Sequence, residues 1–88
     1  MMKLMTKAIE KAKTHGLGMT VVRNSTHYGA AFYYPMMAIH EGMIGLTGTN
    51  ARPSIAPTWG VEPMLGTNPM TWGMPTDEDF PFMLDCAT

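Results

Sequence analysis

Met70-Thr71-Trp72-Gly73-Met74 is followed by Pro75-Thr76-Asp77-Glu78-Asp79 and then by Phe80-Pro81-Phe82-Met83-Leu84-Asp85. Two apolar and aromatic runs flank a short acidic segment headed by proline. The pattern predicts strands over Met70–Met74 and Phe80–Asp85, joined by a turn at Pro75–Asp79. Such a hairpin makes its two strands antiparallel neighbours. Whatever sheet this chain builds therefore contains an antiparallel pair.

Upstream of the hairpin, Gly48 to Gly66 shows no periodicity and carries Pro53, Pro57 and Pro63. A loop of that length in a compact unit is usually functional or a lid. Before it, Met43–Thr47 reads as a strand. Tyr28–Glu41 reads as a helix ended by Gly42, with a kink expected at Pro35, which lacks a backbone donor. Asn24, Ser25 and Thr26 offer capping side chains for that helix. Gly18–Arg23 holds the β-branched run Thr20-Val21-Val22 and reads as a buried strand. Residues 3–15 read as an amphipathic helix, with Leu4, Ala8, Ile9 and Ala12 on one face and Gly16 as its stop. The order is helix, strand, helix, strand, loop, hairpin. That is an α/β chain with a mixed, largely antiparallel sheet and flanking helices.

The chain has 88 residues, 45% of them hydrophobic and 15% charged, with a net charge of −1. This is globular composition. No dense Lys/Arg cluster points to nucleic acid, and no apolar run is long enough to span a bilayer. Lys3, Lys7, Lys11 and Lys13 interrupt the start of the chain, so no secretory leader is expected and the cytoplasm is the default. The lone Cys86 fits a reducing compartment and cannot form an internal disulfide. The 11 methionines read first as a preference for Met over Leu, and second as an adaptable core or partner surface. A chain this short buries only roughly 60–65% of its unfolded surface. That is little wall for a two-substrate site, so a piece of a larger protein is expected.

Gly16-Leu17-Gly18 lacks a third glycine and precedes a strand pattern, so it is not a dinucleotide fingerprint. His15, His27 and His40 match no metal-ligand spacing, and no metal is expected. His15 and His40 sit in last turns of predicted helices, where a cation is mildly favoured. His27 stands at a predicted strand-to-helix junction, the kind of place where open α/β sheets bind ligands. It is a candidate proton donor or a capping histidine. Asn50, Thr67 and Asn68 either hydrogen-bond a ligand or make turns. Arg52 either pairs bidentately with a substrate carboxylate or, as the favoured reading, is a solvated loop charge. Asp85, beside Met83, Leu84 and Cys86, is either paired or bound to a hydroxyl-rich ligand.

These residues also carry a resemblance. Arg23-Asn24-Ser25-Thr26-His27-Tyr28-Gly29-Ala30 resembles the N-S-x-H-[FY]-G-x-A motif of the type-2 malate/L-lactate dehydrogenases. That superfamily includes ureidoglycolate and sulfolactate dehydrogenases, diketogulonate reductase and cyclic-imine carboxylate reductases. Gly45 through Asn50 is similar to its I-G-x-x-x-T-N segment, Gly66-Thr67-Asn68-Pro69 to its G-T-N-P, and Leu84-Asp85-Cys86-Ala87-Thr88 to its L-D-x-A-T. Four motifs in order over nearly the whole chain make the resemblance specific. One departure is Pro57-Thr58-Trp59-Gly60, where the family has P-[WF]-G-G.

The resemblance implies an enzyme that moves a hydride between NAD or NADP and a small 2-hydroxy or 2-oxo acid of the malate, lactate or ureidoglycolate type. It implies a non-Rossmann nicotinamide-binding domain, of which residues 1–88 are a single partial domain. The family's N-terminal H-G-x-x-R segment and C-terminal glycine-rich cofactor segment lie outside it. The resemblance makes His27 the acid/base. It makes Ala51 and the run Pro81, Phe82, Met83, Leu84, Asp85, Cys86 and Ala87 cofactor contacts, with Asn50, Thr67 and Asn68 positioning the substrate. It implies a homodimer. The alternatives are a cyclic-imine carboxylate reductase of the same family, or a truncated chain that only binds nucleotide or a partner.

Overall fold

The computed structural model describes residues 1–88. Helix α1 spans Met2–His15. It forms where the apolar stripe predicts it. Ile9 is buried and Leu4, Ala8 and Ala12 are half-buried, while Lys7 and Lys11 are exposed. Gly16 ends the helix in the left-handed region at φ 85°, its N–H donating to the Ala12 carbonyl at 2.7 Å.

The strand expected over Gly18–Arg23 does not form. The segment returns along α1 instead and gives its hydrogen bonds to the helix. Thr20 Oγ1 donates to the Leu4 carbonyl at 3.0 Å, and Lys11 Nζ donates to the Met19 carbonyl at 3.4 Å. A side chain at Gly18 would put its Cβ 2.0 Å from the Ala8 carbonyl oxygen. β-branched residues favour a pleated, half-buried surface but do not create one. No strand pairs with this run, and Leu17, Met19 and Val21 are exposed.

Helix α2 spans Tyr33–Ile39, shorter than the expected Tyr28–Glu41. Gly29, at φ 86°, breaks the helical path before it. Pro35 therefore falls in the first turn, where no intrahelical donor is needed. The capping expected from Asn24, Ser25 or Thr26 is absent, because the helix starts at Tyr33, with Phe32 as its N-cap and no side-chain cap. Gly42 closes it at φ 71°, with Gly42 N–H on the Ile39 carbonyl and Met43 N–H on the Ala38 carbonyl. Lys13 of α1 and Glu41, just beyond α2, form an exposed ion pair at 2.9 Å.

Three strands follow: β1 Gly45–Gly48, β2 Met70–Met74 and β3 Phe82–Cys86. The sheet order is β1-β2-β3, and both pairings are antiparallel. The hairpin predicted from Met70–Asp85 is present, with Thr71 opposite Asp85 and Trp72 opposite Leu84. The long loop before it folds back on itself through a bridge between Ile55 and Leu65.

Period-two alternation gives the sheet two unlike faces. Gly45, Thr47, Thr71 and Gly73 are buried on the face that α2 covers, and Leu46 and Trp72 are exposed on the other. Gly45 and Gly73 are cross-strand partners. Together they make a flat seat for Pro35, which is fully buried. A Cβ at Gly45 would lie 2.6 Å from Pro35 Cα, and one at Gly73 would lie 2.8 Å from Pro35 Cβ. The core is small. Eight of the 88 residues are buried.

A candidate active site at one end of the sheet

β1 leaves the sheet at Gly48, β2 enters it at Met70, and β3 leaves it at Cys86, and these three residues lie opposite one another. The antiparallel register thus brings Thr49–Ala51, Thr67–Pro69 and Ala87–Thr88 to one end. Hydrogen bonds lock them together. Thr49 N–H donates to the Pro69 carbonyl at 3.2 Å, and Thr88 N–H to the Thr67 carbonyl at 2.8 Å. Asn68 Oδ1 accepts from Ala51 N–H at 2.8 Å, and Thr88 Oγ1 donates to the Asn68 carbonyl at 3.1 Å. Asn68 sits at φ 36°, a conformation that asparagine tolerates better than most residues. A side chain at Gly66 would collide with the Ala51 carbonyl oxygen at 2.5 Å, so Gly66 lets the two motifs lie flush.

Three of the sequence-predicted substrate or cofactor residues, Asn50, Ala51 and Thr67, share this end with Asn68. Asp85, Cys86 and Ala87 reach it along β3. Pro81 and Phe82 belong to the opposite end of that strand, beside Met74, roughly 14 Å away at the usual rise per residue. Arg52 is exposed.

His27 does not follow a strand, because Gly18–Arg23 does not form one. It lies exposed in the irregular segment between α1 and α2. The turn after it is specific nonetheless. Gly29 N–H donates to His27 Nδ1 at 3.1 Å. An Nδ1 that accepts has no proton, so the neutral ring carries its proton on Nε2. Tyr34 Oη donates to the Tyr28 carbonyl, and the Tyr28 and Tyr34 rings pack at 5.3 Å. This ties the turn to α2. Beside His27 runs a shallow groove of ≈ 360 Å³ that includes Leu4, Ser25, Thr26, Tyr28 and Tyr34. Tyr28 Oη is buried without a hydrogen-bond partner.

The question that Asp85 raised from sequence has a structural answer. Asp85 Oδ1 accepts from Thr71 Oγ1 at 2.9 Å, and Oδ2 accepts from Phe32 N–H at 3.2 Å. Thr71, at 0% exposure, was not singled out by sequence reasoning. The hairpin register was the signal that pairs it with Asp85. Thr88 was also missed as a latch, because its partners Thr67 and Asn68 lie far away in sequence.

No group of three or more His, Cys, Asp or Glu side chains comes together here as a metal site. No helix is long and apolar enough to cross a membrane. The sheet end offers neutral amides and hydroxyls, which suit a carboxamide or ribose hydroxyls. It has no glycine-rich turn opening a helix.

Fold and site together define a small α/β unit with an antiparallel sheet, a polar sheet end and a histidine turn, outside the doubly wound dinucleotide-binding class. The chain belongs to the malate/L-lactate dehydrogenase family, whose profile matches residues 1–88. It is 56% identical over 84 residues to a malate dehydrogenase of Pyrococcus horikoshii, covering 96% of this chain and 23% of that protein. It is 44% identical to an L-sulfolactate dehydrogenase of Methanocaldococcus jannaschii, covering 98% of this chain and 25% of that protein. A crystal structure of malate dehydrogenase from Entamoeba histolytica superposes with a TM-score of 0.92 and 59% identity, over 99% of this chain and 24% of that one. The chain thus spans about a quarter of the length of the relatives it matches.

The His27 turn yields a prediction on stability. Gly29 holds φ 86°, which costs a residue with a Cβ about 1–2 kcal/mol. Nothing lies within 4 Å of a Cβ there, so backbone strain alone acts. Gly29→Ala in the complete protein is expected to lower the denaturation free energy by that amount, read by urea titration. An unchanged midpoint would show that the turn relaxes without strain.

Proposed function

We propose that the complete protein carrying this segment is an NAD- or NADP-dependent dehydrogenase of small 2-hydroxy acids, of the malate, lactate or sulfolactate kind. Residues 1–88 would form the core of its cofactor-binding domain, in a cytoplasmic homodimer. The observation that carries this reading is the gathering of the Asn50–Ala51, Thr67–Asn68 and Asp85–Ala87 motifs at one sheet end. α2 starts beside that end, since Phe32 N–H meets Asp85.

The nicotinamide, when bound, supplies or accepts the hydride at C2 of the acid. Ala51, Cys86 and Ala87 would line it at the sheet end, and the run from Pro81 to Leu84 would meet more distant parts of the cofactor along β3. Asn50, Thr67 and the free amide N–H of Asn68 would orient the substrate. His27 Nε2–H would donate to the substrate's C2 oxygen and stabilise charge as the carbonyl becomes an alkoxide. Full proton transfer needs the doubly protonated ring, and forming it breaks the Gly29 bond to Nδ1. In the reverse direction the ring must carry its proton on Nδ1 to accept one at Nε2, so the same bond opens. The Gly29 contact therefore sets the resting tautomer.

The test is turnover by the purified complete protein with malate, lactate, sulfolactate and a cyclic-imine carboxylate, each with both nicotinamides. Reduced cofactor, followed by its near-ultraviolet absorbance, should appear with at least one hydroxy acid. Cofactor binding without turnover of any of them would overturn the reading. The isolated 88-residue chain is expected to give no turnover and to precipitate on concentration. Leu46, Trp72, Phe82 and Leu84 are exposed on its open sheet face, and Trp59 is 100% exposed. Hydroxy-acid oxidation by the isolated chain would contradict this.

A further inference from the structure

We infer that Asp85 is a positioning residue for His27, its carboxylate fixing from β3 the start of α2 and, through it, the turn that carries the imidazole. This rests on the reading of His27 as the acid/base.

The geometry supports it link by link. α2 has no side-chain cap of its own. Its first turn is otherwise held by long bonds, Tyr33 N–H to the Ala30 carbonyl at 3.3 Å, Tyr34 N–H to the Ala31 carbonyl at 3.4 Å and Met36 N–H to the Phe32 carbonyl at 3.2 Å. Asp85, 53 residues away, supplies the missing acceptor to Phe32 N–H. Asp85 is itself aimed by Thr71, its cross-strand partner, which is fully buried on the helix-covered face. From Phe32 the path to His27 is short. Tyr34 Oη donates to the carbonyl of Tyr28, the residue that follows His27 in the turn. The Phe32–Asp85 bond, at 3.2 Å, gains strength from its charged acceptor and ties this exposed segment to the sheet.

The experiment is a double-mutant cycle in the complete enzyme: His27→Ala, Asp85→Ala and both, with kcat read at saturating cofactor and substrate. Asp85→Ala is expected to lower kcat about tenfold with His27 present, the coupling of two residues in one network, and to change it less than about twofold in the His27→Ala background. Asp85→Asn should restore kcat to within about threefold, since its amide oxygen can accept from Phe32 N–H and its amide N–H can donate to Thr71 Oγ1. Equal fractional losses in the two backgrounds overturn the inference, as does an Asp85→Ala enzyme with wild-type kcat. Wild-type activity in His27→Ala alone sinks the reading of His27 instead, before Asp85 enters. If Asp85→Ala fails to fold, Thr71→Val takes its place in the cycle. A smaller, still non-additive loss is then expected, and additivity overturns the inference.

Discussion

His27→Ala in the complete enzyme is expected to lower kcat by about 100-fold or more, the usual scale for loss of a general acid/base, while the cofactor dissociation constant stays within about twofold. The split matters because of where His27 sits. Its ring is exposed and held only by the Gly29 N–H at Nδ1. Removing it leaves no buried group unsatisfied and empties no part of the core, so a fall in stability cannot explain a fall in rate. The sheet-end residues Asn50, Ala51, Thr67 and Asn68 keep their own bonds in the variant. A variant within a few-fold of wild type would move the acid/base role to a residue outside these 88.

The largest effect on stability is expected at the seat of Pro35. Gly73→Val would place its Cβ 2.8 Å from Pro35 Cβ and 2.9 Å from Ile39 Cδ1, and Gly45→Val would place its Cβ 2.6 Å from Pro35 Cα. Proline cannot swing aside, and its ring is fully buried. The helix must lift off the sheet or the strands must part. Overpacking of this kind costs about 1–3 kcal/mol, and the double substitution sits at the upper end because both side chains press on the same ring. Lifting α2 also lengthens the Phe32–Asp85 bond. Gly48→Ala serves as the control, since its Cβ meets nothing closer than the Pro69 carbonyl oxygen at 3.3 Å. Chemical denaturation of the complete protein should show the Val variants destabilised and Gly48→Ala within about 0.5 kcal/mol of wild type. Equal stability throughout would mean that the seat does not hold the helix.

The hairpin was legible because its information is local. Pro75–Asp79 marks the turn, and the runs on either side alternate, so β2 matches its expected residues, while β3 starts two residues later and ends one residue later than expected. Gly18–Arg23 was misleading for the opposite reason. Thr20-Val21-Val22 has the composition of a strand, but a strand needs a partner, and Gly18 lets the backbone lie on α1 instead. The late start of α2 was hidden in Gly29, whose positive φ is a conformational choice rather than a compositional one. At the site, the motif residues could be named from sequence, but their bonds could not. The Asn68–Ala51 latch spans 17 residues and the Phe32–Asp85 bond spans 53. Neither has a local signature. Asp85 shows the difference best: its strand-end position suggested a need for donors, and only the fold supplies Thr71 and Phe32.

The central proposal, that His27 is the acid/base of the complete enzyme, is tested most directly by a crystal structure of that enzyme with oxidised nicotinamide and a 2-oxo acid. The account predicts His27 Nε2 within about 2.6–3.2 Å of the C2 oxygen, the reach of a proton donor, with Asn68 beside the ligand. A C2 oxygen bonded to a different side chain, with His27 out of reach, would contradict it.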